Sequence, residues 1–96
     1  RYANGGAQEE LGLVPDLATF GKGLANGYAV SAVAGRRDVM RLMEDVFFSF
    51  TFGGETLSLA AAKATLLKLK REPVVAKLRA TGERIMAGTS DIIRRH

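Results

Sequence analysis

Residues 15–27 read Pro-Asp-Leu-Ala-Thr-Phe-Gly-Lys-Gly-Leu-Ala-Asn-Gly and hold Lys22 between two glycines, just after a short apolar stretch. Glycine on both sides lets the backbone and the lysine side chain come close to a bound ligand. Asn26-Gly27 favours a turn that requires positive φ. A primary amine in such a loop is suited to covalent chemistry, although a lysine beside glycines is more often a solvated charge.

The same glycines can be compared with two phosphate-binding patterns. The Walker pattern fails because Lys22 is followed by Gly23 rather than by Ser or Thr. Gly21, Gly23 and Gly27 form G-x-G-x-x-x-G, which is one residue longer than the dinucleotide fingerprint. A dinucleotide site at Gly21 to Gly27 is therefore the weakest alternative.

Residues 48–62 form a second informative segment, Phe-Ser-Phe-Thr-Phe-Gly-Gly-Glu-Thr-Leu-Ser-Leu-Ala-Ala-Ala. Thr51 ends an alternating aromatic stretch and precedes Gly53-Gly54 and an expected helix N-terminus, where free amides and the helix dipole favour an anion. Thr51 is therefore a candidate phosphate ligand. The alternative is a buried strand threonine that bonds its own backbone.

Both segments resemble the class-III, pyridoxal-phosphate-dependent aminotransferases, in particular the branch that contains glutamate-1-semialdehyde aminomutase. By this resemblance Lys22 takes the position of the Schiff-base lysine, which is both catalytic and cofactor-binding. Thr51 takes the position that holds the cofactor phosphate, often across the dimer interface. The resemblance implies pyridoxal 5'-phosphate as cofactor, a small-molecule amino-group donor and acceptor, and a homodimer in the full-length protein.

The resemblance also implies a mechanism in which Lys22 first holds the cofactor and then moves a proton as a free base. Ala29 and Phe50 depart from the family pattern, which commonly has proline and glycine at these positions. The acidic partner of the cofactor's ring nitrogen lies, in the family, upstream of the segment that residues 1–6 resemble. We therefore expect an internal fragment that is inactive alone.

The expected fold class is α/β, as part of the large domain of a fold-type I transferase with a C-terminal linking helix. Residues 1–71 would belong to the large domain and residues 72–96 to a helix that leads towards a small domain. The element order follows from periodicity and turn residues. In the first half we expect a helical turn at 8–12, a buried strand at 17–20, a second strand at 30–34 and a helix at 37–45. In the second half we expect a strand or extended segment through Phe48, Phe50 and Phe52, a helix at 55–70, and a last helix that begins at Pro73.

Composition narrows the function classes. With 47% hydrophobic and 25% charged residues the chain should bury a core. It has no cysteine and a single histidine, His96, so disulfides, thiol catalysis, serine–histidine catalysis and a cysteine–histidine metal site are not expected. We find no long apolar run and no leader-like segment, which favours a cytoplasmic protein without membrane contact.

The C-terminal part is basic, with nine Lys or Arg against three acidic residues from residue 63 onward. The basic residues are spread over more than thirty positions without interleaved aromatics, so a solvated helix face is favoured over nucleic-acid binding. Leu78, Ile85 and Ile92 repeat at seven-residue spacing in this part. A non-catalytic helical dimerisation or interaction module is therefore the alternative to an enzyme.

Overall fold

The computed structural model describes residues 2–95; Arg1 and His96, the outer ends of the two expected domains, lie outside the described residues. Six elements follow in chain order: α1 (Ala7–Glu10), β1 (Leu17–Phe20), β2 (Ala32–Gly35), α2 (Arg37–Arg41), α3 (Thr56–Arg71) and α4 (Val74–Arg95). The content is mixed helix and strand, and the described part extends over 60 × 31 × 29 Å. Neither α3 nor α4, the two long helices of the described range, contains an apolar stretch of the length that a bilayer requires.

The two strands form an antiparallel pair in which Leu17 lies opposite Gly35 and Phe20 lies opposite Ala32. The loop that joins them, residues 21–31, carries Lys22. At the open end of the hairpin, the backbone amide of Arg36 donates to the carbonyl of Asp16 at 2.9 Å. The Arg36 guanidinium also binds Asp16 Oδ1 at 2.9 Å and Asp38 Oδ2 at 2.6 Å. These exposed ion pairs add little free energy, but they close the hairpin at the end opposite Lys22.

The expected buried core is wrong for this part of the chain. The most buried described residues are small: Ala25, Ser58 and Ala62 are 1%, 4% and 8% exposed. The strand at 17–20 is present, but Leu17 is 48% exposed. A two-stranded sheet leaves both faces open unless other elements cover them, which explains the exposure.

Two further expectations differ from the structure. The helix predicted at 37–45 ends at Arg41 and continues as a 3₁₀ turn, Leu42–Glu44. The aromatic segment forms no strand; the rings of Phe48 and Phe50 pack edge to face at 5.0 Å, and residues 51–54 turn. Alternating side chains indicate which residues share a face, but a strand also needs a neighbouring strand with which its backbone can form hydrogen bonds.

Helices α3 and α4 meet at a short break. The Glu72 carboxylate binds Lys68 Nζ at 2.8 Å and lies 4.0 Å from Lys77 Nζ, so it links the two helices. Its pKa is lowered mainly by the hydrogen bond from Lys68. The carbonyl of Pro73 accepts from the Lys77 amide at 3.1 Å, as expected of a residue at a helix start.

The N-terminal segment packs beside this junction. Arg79 of α4 binds Glu10 at 2.7 Å, and Asn4 Nδ2 donates to the carbonyl of Leu69 at 3.4 Å. The first part of α4 therefore contacts residues that the sequence assigns to the large domain.

Gly35 is a position where the hairpin tolerates no side chain. A Cβ at this position would collide with the carbonyl oxygen of Asp16 and the side chain of Leu17. We expect Gly35→Ala to lower the free energy of unfolding by about 1–3 kcal/mol, because the strands must separate. Gly88→Ala is the control, since nothing lies within 4 Å of the added Cβ on α4; it should raise stability by about 1 kcal/mol. Urea unfolding measures both, and equal effects would contradict the interpretation.

Candidate active site

A cavity of about 730 Å³ lies between the loop that joins β1 to β2 and the start of α3. This volume is in the range of small-molecule sites. Three parts of the chain line it: the loop residues Lys22, Asn26, Gly27, Tyr28, Ala29, Val30 and Ser31, the turn residues Phe50, Phe52 and Gly53, and Leu59 of α3. The cavity thus joins the two segments that carry the sequence motifs. Within residues 2–95 no group of three or more His, Cys, Asp or Glu side chains is placed to hold a metal ion.

Lys22 has an unusual backbone conformation. Its φ is 47°, in the left-handed region, and the carbonyl of the preceding Gly21 accepts from the Leu24 amide at 3.1 Å. Left-handed conformations cost a residue with a β-carbon about 1 kcal/mol, and such strain is concentrated at functional sites. Lys22 is exposed and is one of the residues that line the cavity.

The rest of the loop is shaped as the sequence predicts. Asn26 and Gly27 have φ values of 51° and 114°, which confirms the expected turn. The 3₁₀ turn Lys22–Leu24 contacts α3, and Ala25, which ends that turn, is almost fully buried. Small residues on both elements therefore allow the loop to approach the helix closely.

Thr51 does not share the cavity with Lys22. Phe50, Phe52 and Gly53 on either side of it line the cavity, whereas the exposed Thr51 is not among the described lining residues. The structure thus brings together Lys22 and the turn that carries Thr51, but not the two side chains. Neighbouring residues of an irregular turn face different directions, which the sequence pattern does not reveal.

Glu55 occupies the helix end that the sequence predicts as an anion site. Its Oε1 accepts from the Leu57 amide and its Oε2 from the Ser58 amide, both at 2.7 Å. Hydrogen bonding from Ser58 is the main cause of a lowered pKa at Glu55, followed by that from the Leu57 amide. The expectation of free amides at this N-terminus is therefore wrong for Leu57 and Ser58.

Sequence reasoning missed three residues of this region. Glu55 stands directly before the helical run from Thr56, which is the position of an N-cap and is a usable signal. Tyr28 and Ser31, which both carry hydroxyl groups, are lining residues of the cavity. Neither has a sequence pattern that sets it apart from other loop residues.

Comparison with known proteins agrees with this geometry. The model of the family described as aminotransferase class-III matches residues 4–96, and the chain belongs to that family. Glutamate-1-semialdehyde 2,1-aminomutase of Methanosarcina acetivorans is 41% identical over 96 residues, which cover 97% of this chain and 23% of the relative. The 5-aminovalerate aminotransferase of Pseudomonas aeruginosa is 37% identical over 90 residues, 94% of this chain and 21% of the relative.

The name of a third relative contains a different compound. The 2'-deamino-2'-hydroxyneamine transaminase of Streptomyces kanamyceticus is 35% identical over 96 residues, covering all of this chain and 24% of the relative. The chain therefore spans less than a quarter of the length of these curated relatives. No solved structure gives a significant match.

The lining residues fit part of the cofactor that the family implies. Lys22 offers an amine for the aldehyde of pyridoxal phosphate, and Tyr28, Phe50 and Phe52 offer aromatic surface for a flat ring. None of the lining residues that the structure describes carries a carboxylate, so they supply no charge partner for the ring nitrogen. The fit covers the reactive side of the cofactor only.

The left-handed backbone of Lys22 gives a testable stability order. Lys22→Gly and Lys22→Ala both remove the amine, but only glycine adopts φ near 47° without strain. We expect Lys22→Gly to be more stable than Lys22→Ala by about 1 kcal/mol, since alanine keeps the Cβ that causes the penalty. Urea unfolding of the two variants gives the difference. If alanine were the more stable, as in an ordinary helix, Lys22 would not be strained.

The lowered pKa of Glu55 gives a pH dependence of defined sign. A depressed carboxyl pKa stabilises the folded state above the unfolded value of 4.5 and loses that contribution as the pH falls through the folded value. We expect the stability of wild type to fall more than that of Glu55→Gln on acidification from pH 6 through this range. Unfolding midpoints measured across this pH range report the slope. If the unfolding midpoints of wild type and Glu55→Gln changed equally with pH, the ionised Glu55 carboxylate would have no role in stability.

Proposed function

We propose that this chain is part of a pyridoxal-phosphate-dependent enzyme that transfers an amino group, with Lys22 as its catalytic lysine. Membership of the class-III aminotransferase family supports this proposal. The observation that carries it is the cavity, in which the Lys22 loop meets the turn that precedes α3. Substrates would be a small-molecule amino-group donor and a keto or aldehyde acceptor, including transfer within one molecule as in an aminomutase.

Lys22 would serve two purposes in this site. Its Nζ would hold the cofactor aldehyde covalently, and after release it would accept and return the proton at the substrate carbon. The bound cofactor supplies an electron sink for the charge that remains when that proton leaves. Phe50, Phe52 and Leu59 would keep water away from the reacting carbon, since they form an apolar wall of the cavity.

Thr51 would bind the cofactor phosphate of a neighbouring subunit in a homodimer. Its position supports this assignment, because the turn is exposed and Thr51 lies outside the lining of its own cavity. The adjacent Phe47 and Phe48 are 93% and 60% exposed, which leaves apolar surface for contact with another chain.

The larger architecture is also a proposal. Residues 1–71 would complete a fold-type I large domain together with chain outside these residues, and residues 72–96 would lead to a small domain. Two observations support an internal fragment: the coverage of 23% of the aminomutase relative, and the exposure of apolar residues on α4, with Ile85 63% and Ile92 62% exposed. A domain that is complete by itself would cover most of this surface.

The same apolar residues favour a second candidate, a non-catalytic helical interaction module. Leu78, Ile85 and Ile92 of α4 are all exposed and repeat every seven residues. This arrangement is typical of a helix that packs against a partner helix.

Trapping of the bound cofactor separates the two candidates. We expect borohydride reduction of the full-length protein loaded with pyridoxal phosphate, followed by peptide mapping, to place a pyridoxyl group on Lys22. The variant Lys22→Arg should lose this label and the visible absorbance of the bound cofactor, whereas Lys63→Arg on α3 should retain both. Label on another lysine would contradict the assignment of Lys22, and a protein that stays colourless and unlabelled would favour the interaction module.

A further inference from the structure

We propose that Glu55 is a positioning residue that fixes the turn carrying Thr51 and so determines how the cofactor phosphate is held. This inference rests on the proposed function and concerns the phosphate anchor that Thr51 would supply to the site of a neighbouring subunit. Glu55 itself is not among the residues described as lining the cavity. It would act through the turn.

Glu55 is bonded to both the turn and the helix. Its amide donates to the carbonyl of Phe52 at 3.3 Å, and its carbonyl accepts from the Leu59 amide at 3.2 Å. Its carboxylate accepts from the Leu57 and Ser58 amides, both at 2.7 Å. Glu55 therefore fastens the end of the turn to the first residues of α3, with Phe52 and Leu59 as lining residues on its two sides.

The turn is tight enough to pass this constraint on to Thr51. The Gly53 amide donates to the carbonyl of Phe50 at 3.0 Å, so the bond closes around Thr51 and Phe52. A Cβ at Gly53 would lie 3.2 Å from the Phe50 oxygen and 3.4 Å from the Phe50 ring, so the turn is closely packed at this residue. A shift of Glu55 relative to α3 would be passed to Thr51 through the Glu55–Phe52 and Gly53–Phe50 hydrogen bonds.

Glu55 also removes the usual alternative for an anion. A free helix N-terminus offers its first amides to a phosphate, but the amides of Leu57 and Ser58 here are bonded to a carboxylate of the chain itself. Hydrogen bonding from Ser58 lowers the pKa of Glu55, which keeps that carboxylate ionised. The amides of Leu57 and Ser58 are therefore not free for a phosphate, and the Thr51 hydroxyl is the donor that we propose in their place.

The test compares two forms of the cofactor that differ only in the phosphate. The full-length protein is titrated with pyridoxal phosphate and with pyridoxal, and the ratio of the two dissociation constants reports the phosphate anchor alone. We expect Glu55→Ala to reduce the preference for pyridoxal phosphate by about fivefold or more, while the affinity for pyridoxal stays unchanged. Glu55→Asn should restore the preference, because asparagine is also a good N-cap.

Two further variants make the result specific. Glu72→Ala removes a carboxylate bound at the other end of α3 and should leave the preference unchanged. Glu55→Gln keeps the side-chain length without the charge, and we expect a preference between those of wild type and Glu55→Ala, so the test does not depend on the folding of the alanine variant.

Several outcomes would overturn the inference. Equal weakening for both compounds would assign Glu55 a general structural role, and a higher preference in Glu55→Gln would mean that its charge repels the phosphate. An unchanged preference in both Glu55→Ala and Glu55→Gln would remove any role for the cap. Failure of the proposed function is recognised separately, because wild type would then bind neither compound at Lys22; that result would overturn both proposals.

Discussion

The close approach of the Lys22–Leu24 turn to α3 holds the candidate site together. It is possible because the residues at the approach are small: Ala25 follows the turn, and Ser58 and Ala62 lie one helical turn apart on the same face of α3. Lys22 of this turn, Phe50, Phe52 and Leu59 of α3 all line the same cavity.

The buried residues of the described range are few and small, so other interactions must fix the strained and polar parts of the site. The left-handed conformation of Lys22 is stabilised locally by the hydrogen bond from the Leu24 amide to the Gly21 carbonyl. A single bond of this kind contributes about 1 kcal/mol, which is similar to the cost of the conformation. Strain at functional sites persists where surrounding structure also enforces it. The exposed apolar side chains around the site are consistent with a larger protein that supplies this support, as the short coverage of the relatives also suggests.

The sequence predicts the local elements well where a signal lies within a few neighbouring residues. The strand at 17–20 is confirmed at both ends, and α3 begins and ends within one residue of the prediction, because apolar periodicity and the cap position are local. The turn at Asn26-Gly27 is confirmed for the same reason. Burial is not local: Leu17 is 48% exposed, because no element within residues 2–95 covers that part of the hairpin.

For the site, the sequence singles out the Lys22 loop and the turn before α3 as the two segments that carry chemistry, and the structure shows that both line one cavity. The sequence does not reveal that Thr51 lies outside the lining, because the direction of one side chain in an irregular turn depends on the hydrogen bonds of that turn. The aromatic alternation at Phe48, Phe50 and Phe52 predicts a strand or extended segment; no strand forms, because no backbone partner lies beside these residues in the described range. For the aromatic segment the missing information is long-range pairing, whereas for Thr51 it is the local geometry of the turn.

The charges around the cavity limit how a phosphate can be held. Lys22 is the sole cationic side chain among the lining residues that the structure describes, and a role in binding the aldehyde would leave it unable to pair with the phosphate as well. The helix dipole of α3 favours an anion, but the Glu55 carboxylate already occupies that position and reduces the favourable potential that remains. Neutral donors such as the Thr51 hydroxyl are effective only when they are held in place beforehand. The hydrogen bonds of Gly53 to Phe50 and of Glu55 to Phe52 are the contacts that would hold the Thr51 turn in this way.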